Sequence, residues 1–393
     1  MIRFLLPLLF IGSLLAAQAP STFSAYSTFI EEQIAGEEFA GAVSLVVKDG
    51  EVLHRGAFGH ADLEEDIPMA EDQVFHLMSM TKPIVTLAAM LLWEEGKFKL
   101  DDKVSSYLDG FDNLRVAKSV TEGKDGPTVP ADHPVTIRQV MTHTAGFSHG
   151  LSGSKLDNEI AMALYYVPQE NIASRVKTLT ELPLIGQPGK QWSYSASPDI
   201  LALLIEHFSG MTAAEFLQQR IFALLGMSST GYNLPEEKAA RMAKLYKQVD
   251  GKLVRDPMQM GAMGNQVFGG SHGLLSTIDD YAAFCRMLVN DGKYKGGRLL
   301  KKSTLEMMTS NQLGDIPYPA GKGFGLGFGI DTEIPKDGLG SAGNYYWSGA
   351  YSTFFFVDPV NNLFAILMTQ RSPYTGSIGE KMRKQVYSAL GKQ

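Results

Sequence analysis

The chain of 393 residues is long enough to bury one large core or two smaller ones. With 45% apolar and 20% charged residues it has the composition of a globular protein, which excludes a disordered or fibrous chain. Its formal net charge of -7 leaves no basic footprint for a nucleic-acid partner.

The first residues, "MIRFLLPLLFIGSLLAAQAP", join a basic start at Arg3 to an apolar run and then to small residues around Ala17 and Ala19. That order predicts a signal peptide over residues 1–19 and an exported, periplasmic or secreted, protein. The run is short for a bilayer span, which needs about 20 residues, so no stable membrane anchor is expected after its removal. Residues 20–393 then read as a single domain. "FSAYSTFIEEQIAG" has helical periodicity, and "GAVSLVVKDGEVLHRGAFG" reads as two strands around an Asp49–Gly50 turn. "IVTLAAMLLWEEG" is apolar around most of its circumference and predicts a buried helix. The middle of the chain is mostly helical, with a polar loop around residues 120–134. Cys285, the one cysteine, falls in "DDYAAFCRMLVN" at helical spacing and reads as buried filler; no internal disulfide can form. "GKGFGLGFG" does not match G-x-G-x-x-G and reads as strand or loop, without a phosphate role. "YYWSGAYSTFFFVDP" and "NNLFAILMTQ" read as two strand-like runs joined at Asp358–Pro359, and "IGEKMRKQVYSAL" as a helical tail.

Strands at both ends with helices between predict an α+β fold, one antiparallel sheet assembled from the two terminal segments. The sheet lobe would take about residues 20–95 and 270–393, and an inserted, mostly helical lobe about residues 96–269.

Two serine motifs compete for chemistry. "GGSHG", residues 269–273, fits the G-x-S-x-G nucleophile elbow, which needs a strand before it and an acid and a histidine after it. "AMGNQVF" is a poor strand and His272 is the last histidine, so Ser271 reads as a turn residue. The other motif is Ser79-Met80-Thr81-Lys82. Residues i and i+3 share a helix face, and Pro83 is tolerated only in a first turn, so the pair belongs at a helix start. Free N–H groups there favour negative charge on the serine oxygen, and burial lowers the lysine towards a general base. An ordinary cap with a solvated lysine is the other reading of the same residues. Ser197–Pro198 predicts a helix start, cap then first residue, and leaves Tyr194 in the loop before it. A tyrosine there is a packing residue unless it faces Ser79, where a nearby ammonium would stabilise its anion and let it shuttle protons.

The strings "FHLMSMTKPI", "VTIRQVMTHTAGFSHG", "QPGKQWSYSASPDILALLIEHFSGM", "LLGMSSTGY", "GGSHGLLSTIDDYAAFCRML" and "WSGAYSTFFFVDP" run in order along nearly the whole chain. Together they resemble the serine β-lactamase and penicillin-recognising superfamily, closest to the class C branch and the family VIII carboxylesterases. The resemblance implies a β-lactamase/transpeptidase-like catalytic domain with Ser79 as acylated nucleophile, Lys82 as its base and Tyr194 as the tyrosine of Y-x-N. It puts Trp347, Ser348 and Gly349 at the K-T-G position on a strand lining the substrate cleft, and the backbone N–H groups of Ser79 and Ala350 in the oxyanion hole. It identifies "GGSHGLLST" as a structural segment and His143 as a residue behind the site or a structural histidine. It implies no metal or organic cofactor, and a small-molecule ester or amide as substrate. The sequence departs from the pattern at Ala196, in place of asparagine, and at Trp347, in place of lysine. Both weaken recognition of β-lactams and peptidoglycan stems and resemble the esterase members. The expectation is a carboxylesterase on small or medium acyl esters. A β-lactamase, a D-amino-acid peptidase, or a penicillin- or muropeptide-binding protein acylated without turnover would use the same machinery.

Overall fold

The computed structural model describes residues 23–391, so the segment read as a signal, residues 1–19, lies outside the described residues. Helix α1 (Ser24–Ala35) leads into β1 (Gly41–Lys48) and β2 (Glu51–Asp62), which turn back across Asp49 and Gly50 as the sequence predicts. After β3 (Ile67–Pro68) the chain enters α2 (Thr81–Glu94), then α3 (Ile172–Glu181), α4 (Pro198–Ser209) and α5 (Ile278–Val289). It returns through β4 (Lys322–Phe324), β5 (Gly329–Asp331), β6 (Tyr345–Ser348), β7 (Phe354–Asp358) and β8 (Leu363–Thr369) to α6 (Ser377–Leu390).

These eight strands form one sheet in the order β4-β5-β6-β7-β8-β1-β2-β3, antiparallel throughout. The N-terminal hairpin therefore joins a sheet whose strands β4 to β8 lie more than 250 residues later, and β1 meets β8 with Leu45 opposite Ile366. The α+β fold, a sheet built from both chain ends, is the observed one. Period-2 alternation places apolar residues of β1 and β8 on both faces of the sheet. Val43, Leu45, Val47, Phe364, Ile366 and Met368 face the main core with α2 and α5. Ala42, Val46, Leu363, Ala365 and Leu367 face a second core under α1 and α6. Helix α2 is buried from Thr81 to Leu92 and packs against α4, so its first turn is held by the core on all sides.

Three expectations need correction. "YYWSGAYSTFFFVDP" is two strands, β6 and β7, folded on each other through a turn in which Ser352 has a φ of 63°. An unbroken run of strand formers hid that turn. The middle of the chain also holds small hairpins, Arg115–Ala117 with Thr128–Pro130 and Tyr246–Val249 with Lys252–Arg255. The side chain of Ser197 does not cap α4; its hydroxyl donates to the Val140 carbonyl at 2.9 Å, although Pro198 does open the helix. "GKGFGLGFG" forms the edge hairpin of β4 and β5, and Cys285 is buried in α5.

Candidate active site

Ser79 stands in a single 3₁₀ turn, Met78–Met80, that runs directly into α2. The residue before it, Met78, has a φ of 48°, the left-handed region that a side chain enters only at a cost. Lys82 follows in the first turn of α2, with Pro83 behind it where no backbone N–H is missed. Its Nζ lies 3.1 Å from Ser79 Oγ and donates to the Ser271 carbonyl at 2.7 Å. Only 1% of Lys82 is exposed. Burial penalises the ammonium and brings it from 10.5 down to about 7, a fall that the buried Asp199 carboxylate only partly opposes.

Tyr194 donates to Ser79 Oγ at 2.7 Å, and its ring centroid is 4.6 Å from Lys82 Nζ. Its loop is pinned on both sides. Ser193 N–H donates to the His143 carbonyl at 2.8 Å, and Ala196 N–H to the Ser148 carbonyl at 3.0 Å. His143 is buried behind this loop, its Nδ1 2.8 Å from Ser195 Oγ and its ring 5.0 Å from that of Tyr194. Ala196 is fully buried and contributes backbone alone. The expectation of a stabilised phenolate is reversed here. Burial raises the Tyr194 hydroxyl well above its ordinary value, more than the Ser79 hydroxyl and the Trp347 indole lower it, so the phenol keeps its proton. A sequence shows the neighbouring lysine but not the depth of burial.

Trp347 and Ser348 end strand β6 beside this group, and Gly349 carries the chain across the Ser79 turn. A Cβ on Gly349 would stand 2.3 Å from the Leu77 carbonyl and 2.2 Å from Thr353 Oγ1, so no other residue allows this approach. Ala350 follows in the turn, and neither its N–H nor that of Ser79 enters a turn or loop hydrogen bond among the described residues. The Trp347 ring lies 5.6 Å from that of Tyr194 and 5.3 Å from that of Phe324.

The "GGSHG" segment follows no strand, and although His272 borders the cavity described below, Ser271 itself is fully buried. A Cβ on Gly270 would stand 1.9 Å from the Pro198 carbonyl, so that glycine lets the segment press against the start of α4. There Asp199 Oδ1 accepts from the Ser271 N–H at 2.8 Å, which aims the Ser271 carbonyl at Lys82.

Above Ser79 opens a cavity of about 770 Å³, walled mainly by rings and methionines, among them Tyr165, Trp192, Tyr194, Met260, Trp347 and Tyr351. Several of its residues carry no local sequence signal. His149 stacks on Tyr194 at 5.1 Å and meets the Tyr165 hydroxyl through Nδ1 at 2.8 Å. Its imidazole is held neutral, pushed down to about 3 by burial. Arg175 reaches the cavity from α3 and lies 3.7 Å from Asp199 Oδ2. In the sequence Arg175 reads as an ordinary polar helix position and His149 as a loop histidine.

This arrangement can activate a hydroxyl, supply a proton to a leaving group and enclose an apolar compound. The fold is that of the β-lactamases and transpeptidases. The Beta-lactamase family matches residues 27–385, and the chain belongs to that family. Family and fold together make it a serine hydrolase. Protein Rv1367c of Mycobacterium tuberculosis (strain ATCC 25618 / H37Rv) is 30% identical over 350 residues, 85% of this chain and 86% of that protein. Esterase EstB of Burkholderia gladioli is 28% identical over 398 residues, 94% of this chain and 96% of that one. The unliganded structure of simvastatin synthase (LovD) from Aspergillus terreus shares the fold with a TM-score of 0.78 and 21% identity, over 95% of this chain and 98% of that one.

Proposed function

We propose that the protein is a carboxylesterase that cleaves small or medium acyl esters through an acyl-enzyme on Ser79. One observation carries this reading: the Ser79 hydroxyl is shared by Lys82 Nζ at 3.1 Å and Tyr194 OH at 2.7 Å, at the floor of an aromatic cavity. Near pH 7 a substantial fraction of Lys82 is uncharged, because burial brings it down to about 7. That amine takes the Ser79 proton as Oγ attacks the ester carbonyl. The backbone N–H groups of Ser79 and Ala350 hold the resulting oxyanion. Tyr194 donates its proton to the departing alkoxide and is refilled from the Lys82 ammonium, so the proton taken from serine leaves on the alcohol. Water then gives a proton to the same pair, attacks the acyl carbon and releases the acid, and Ser79 recovers its hydrogen.

Ester rather than β-lactam turnover is supported by Trp347 and Ala196, which supply neither a lysine nor a side-chain amide, and by the esterase name of the Burkholderia relative. We also propose export, on the strength of the Arg3 start, the apolar run and the small residues that follow. The test of the chemistry is hydrolysis of p-nitrophenyl butyrate by Ser79→Ala, with nitrocefin as comparison. The variant should lose turnover, and the unaltered protein should cleave the ester faster than nitrocefin. Wild-type ester hydrolysis by Ser79→Ala overturns the reading.

A further inference from the structure

Arg175 is nine-tenths buried, yet among the described residues its guanidinium enters no hydrogen bond. Its ionic neighbour, Asp199 Oδ2, stands 3.7 Å away, beyond hydrogen-bond reach, and the other Asp199 oxygen is taken by the Ser271 N–H. An arginine carries five N–H donors in a planar fork, and a buried charge with none of them engaged is costly. Asp199 balances the charge without occupying the fork.

The place of this fork points to a ligand. Arg175, Met260 and His272 border the cavity over Ser79 and also a second one of about 290 Å³. The guanidinium lies over the Tyr165 ring at 5.6 Å; that ring is 5.4 Å from His149, which stacks on Tyr194 at 5.1 Å. Arg175 therefore ends a run of rings that begins at the tyrosine beside Ser79. Among the described residues it is the one Lys, Arg, Asp or Glu side chain that lines the cavity. The two histidines on this wall, His149 and His272, stay neutral through burial and offer no rival cation.

We propose that Arg175 is an anion-binding end of the substrate cavity, and that the substrate is an ester with a carboxylate on the arm remote from the scissile carbonyl. A planar fork takes a carboxylate through two parallel hydrogen bonds, which no neutral wall residue can match. The uncharged ring faces of His149 and Tyr165 between Tyr194 and Arg175 suit a short hydrocarbon spacer. This deepens the ester-hydrolase reading and rests on it for the word ester.

The test measures binding without turnover. In the Ser79→Ala protein, monoethyl glutarate, with one carboxylate, and diethyl glutarate, with none, are titrated by tryptophan fluorescence; Trp192 and Trp347 line the cavity and report its filling. The monoester should bind at least about tenfold more tightly, and adding Arg175→Gln should shrink that preference below about threefold. Arg175→Lys keeps a cation facing Asp199, guards against misfolding of the glutamine variant, and should leave an intermediate preference. Equal affinity of the two compounds with Arg175 intact overturns the proposal. So does a preference that Arg175→Lys and any folded Arg175→Gln both keep in full, or affinity for both compounds falling in proportion, which marks a structural role. Failure of the ester-hydrolase reading shows separately, as p-nitrophenyl butyrate hydrolysis that is absent or indifferent to Ser79.

Discussion

Tyr194 donates to the Ser79 hydroxyl from 2.7 Å while its ring lies 4.6 Å from Lys82 Nζ, so one phenol touches both ends of the proposed proton path. Because burial keeps this phenol protonated, its part is to donate to a leaving group rather than to act as an anionic base. Tyr194→Phe keeps the ring contacts with His149 and Trp347 and removes the proton. The expected loss in kcat is roughly 10²–10⁴-fold for an alkyl ester, with KM little changed. The loss should be smaller for a p-nitrophenyl ester, whose leaving group departs without a proton. Equal losses for the two leaving groups would contradict the donor role.

Lys82 supplies the pH dependence. In the proposed mechanism its uncharged form is the active one, so kcat/KM should rise through an apparent value near 7, where burial sets this lysine. Stability carries the same signature. Unfolding returns Lys82 to its ordinary range, so between about pH 7 and pH 10 the unfolded chain binds more protons and folding strengthens as pH rises. Below about pH 7 both states are protonated and the full penalty of the buried ammonium is present. Lys82→Met removes that penalty and should abolish turnover. Its stability relative to the parent should be higher at pH 6 than at pH 9 by on the order of 2 kcal/mol. Denaturant titration at the two pH values measures it, and a difference of opposite sign would refute the assignment.

Glycine positions separate Ser79, the proposed nucleophile, from the fully buried Ser271. Gly349→Ala sets a methyl group against the Leu77 carbonyl and Thr353, and can be accommodated only if β6 moves away from the Ser79 turn. Activity should fall at least about tenfold, as a misplacement near 1 Å costs far more than its contact energy. Ser271→Ala leaves the carbonyl that faces Lys82 in place and loses only the contact of its hydroxyl with His272 Nδ1 at 3.0 Å. Most activity should remain. A loss like that of Ser79→Ala would move the nucleophile to Ser271.

What the sequence made legible is local or verbal. The i, i+3 spacing with Pro83 brought Ser79 and Lys82 together at a helix start, and Pro198 put Tyr194 in the loop before α4. The hairpin at Asp49–Gly50 and the pairing of chain ends followed from turn chemistry and apolar runs. The rest depends on approach across the fold. Asp199 and Ser271 are 72 positions apart, and their hydrogen bond exists because Gly270 lets two backbones close to contact. Arg175 reads as a solvated helix residue until α3 is packed, and His149 as a loop histidine until its ring lies on Tyr194. The ionisation of Tyr194 was misread because the sign of its shift is set by burial, which no spacing reveals. The turn between β6 and β7 was missed because small residues there interrupt neither the apolar run nor its strand propensity.

Trp347 should act on affinity more than on chemistry. It forms a wall with Phe324 and Tyr194, and the residue is partly exposed rather than fully buried. Trp347→Ala removes apolar contact area from the bound ester and should raise KM for p-nitrophenyl butyrate several-fold, with kcat falling less. Steady-state kinetics at one pH decides it; an unchanged KM with a collapsed kcat would make Trp347 part of the proton path instead.

The central claim is a covalent bond between Ser79 and the acyl group. Quenching the protein during turnover of p-nitrophenyl butyrate and weighing its peptides should reveal a butyryl adduct on the peptide containing Ser79, absent from the Ser79→Ala protein and lost as substrate runs out. A butyryl group on any other residue, or turnover with no adduct on Ser79 at any time of quench, would contradict it.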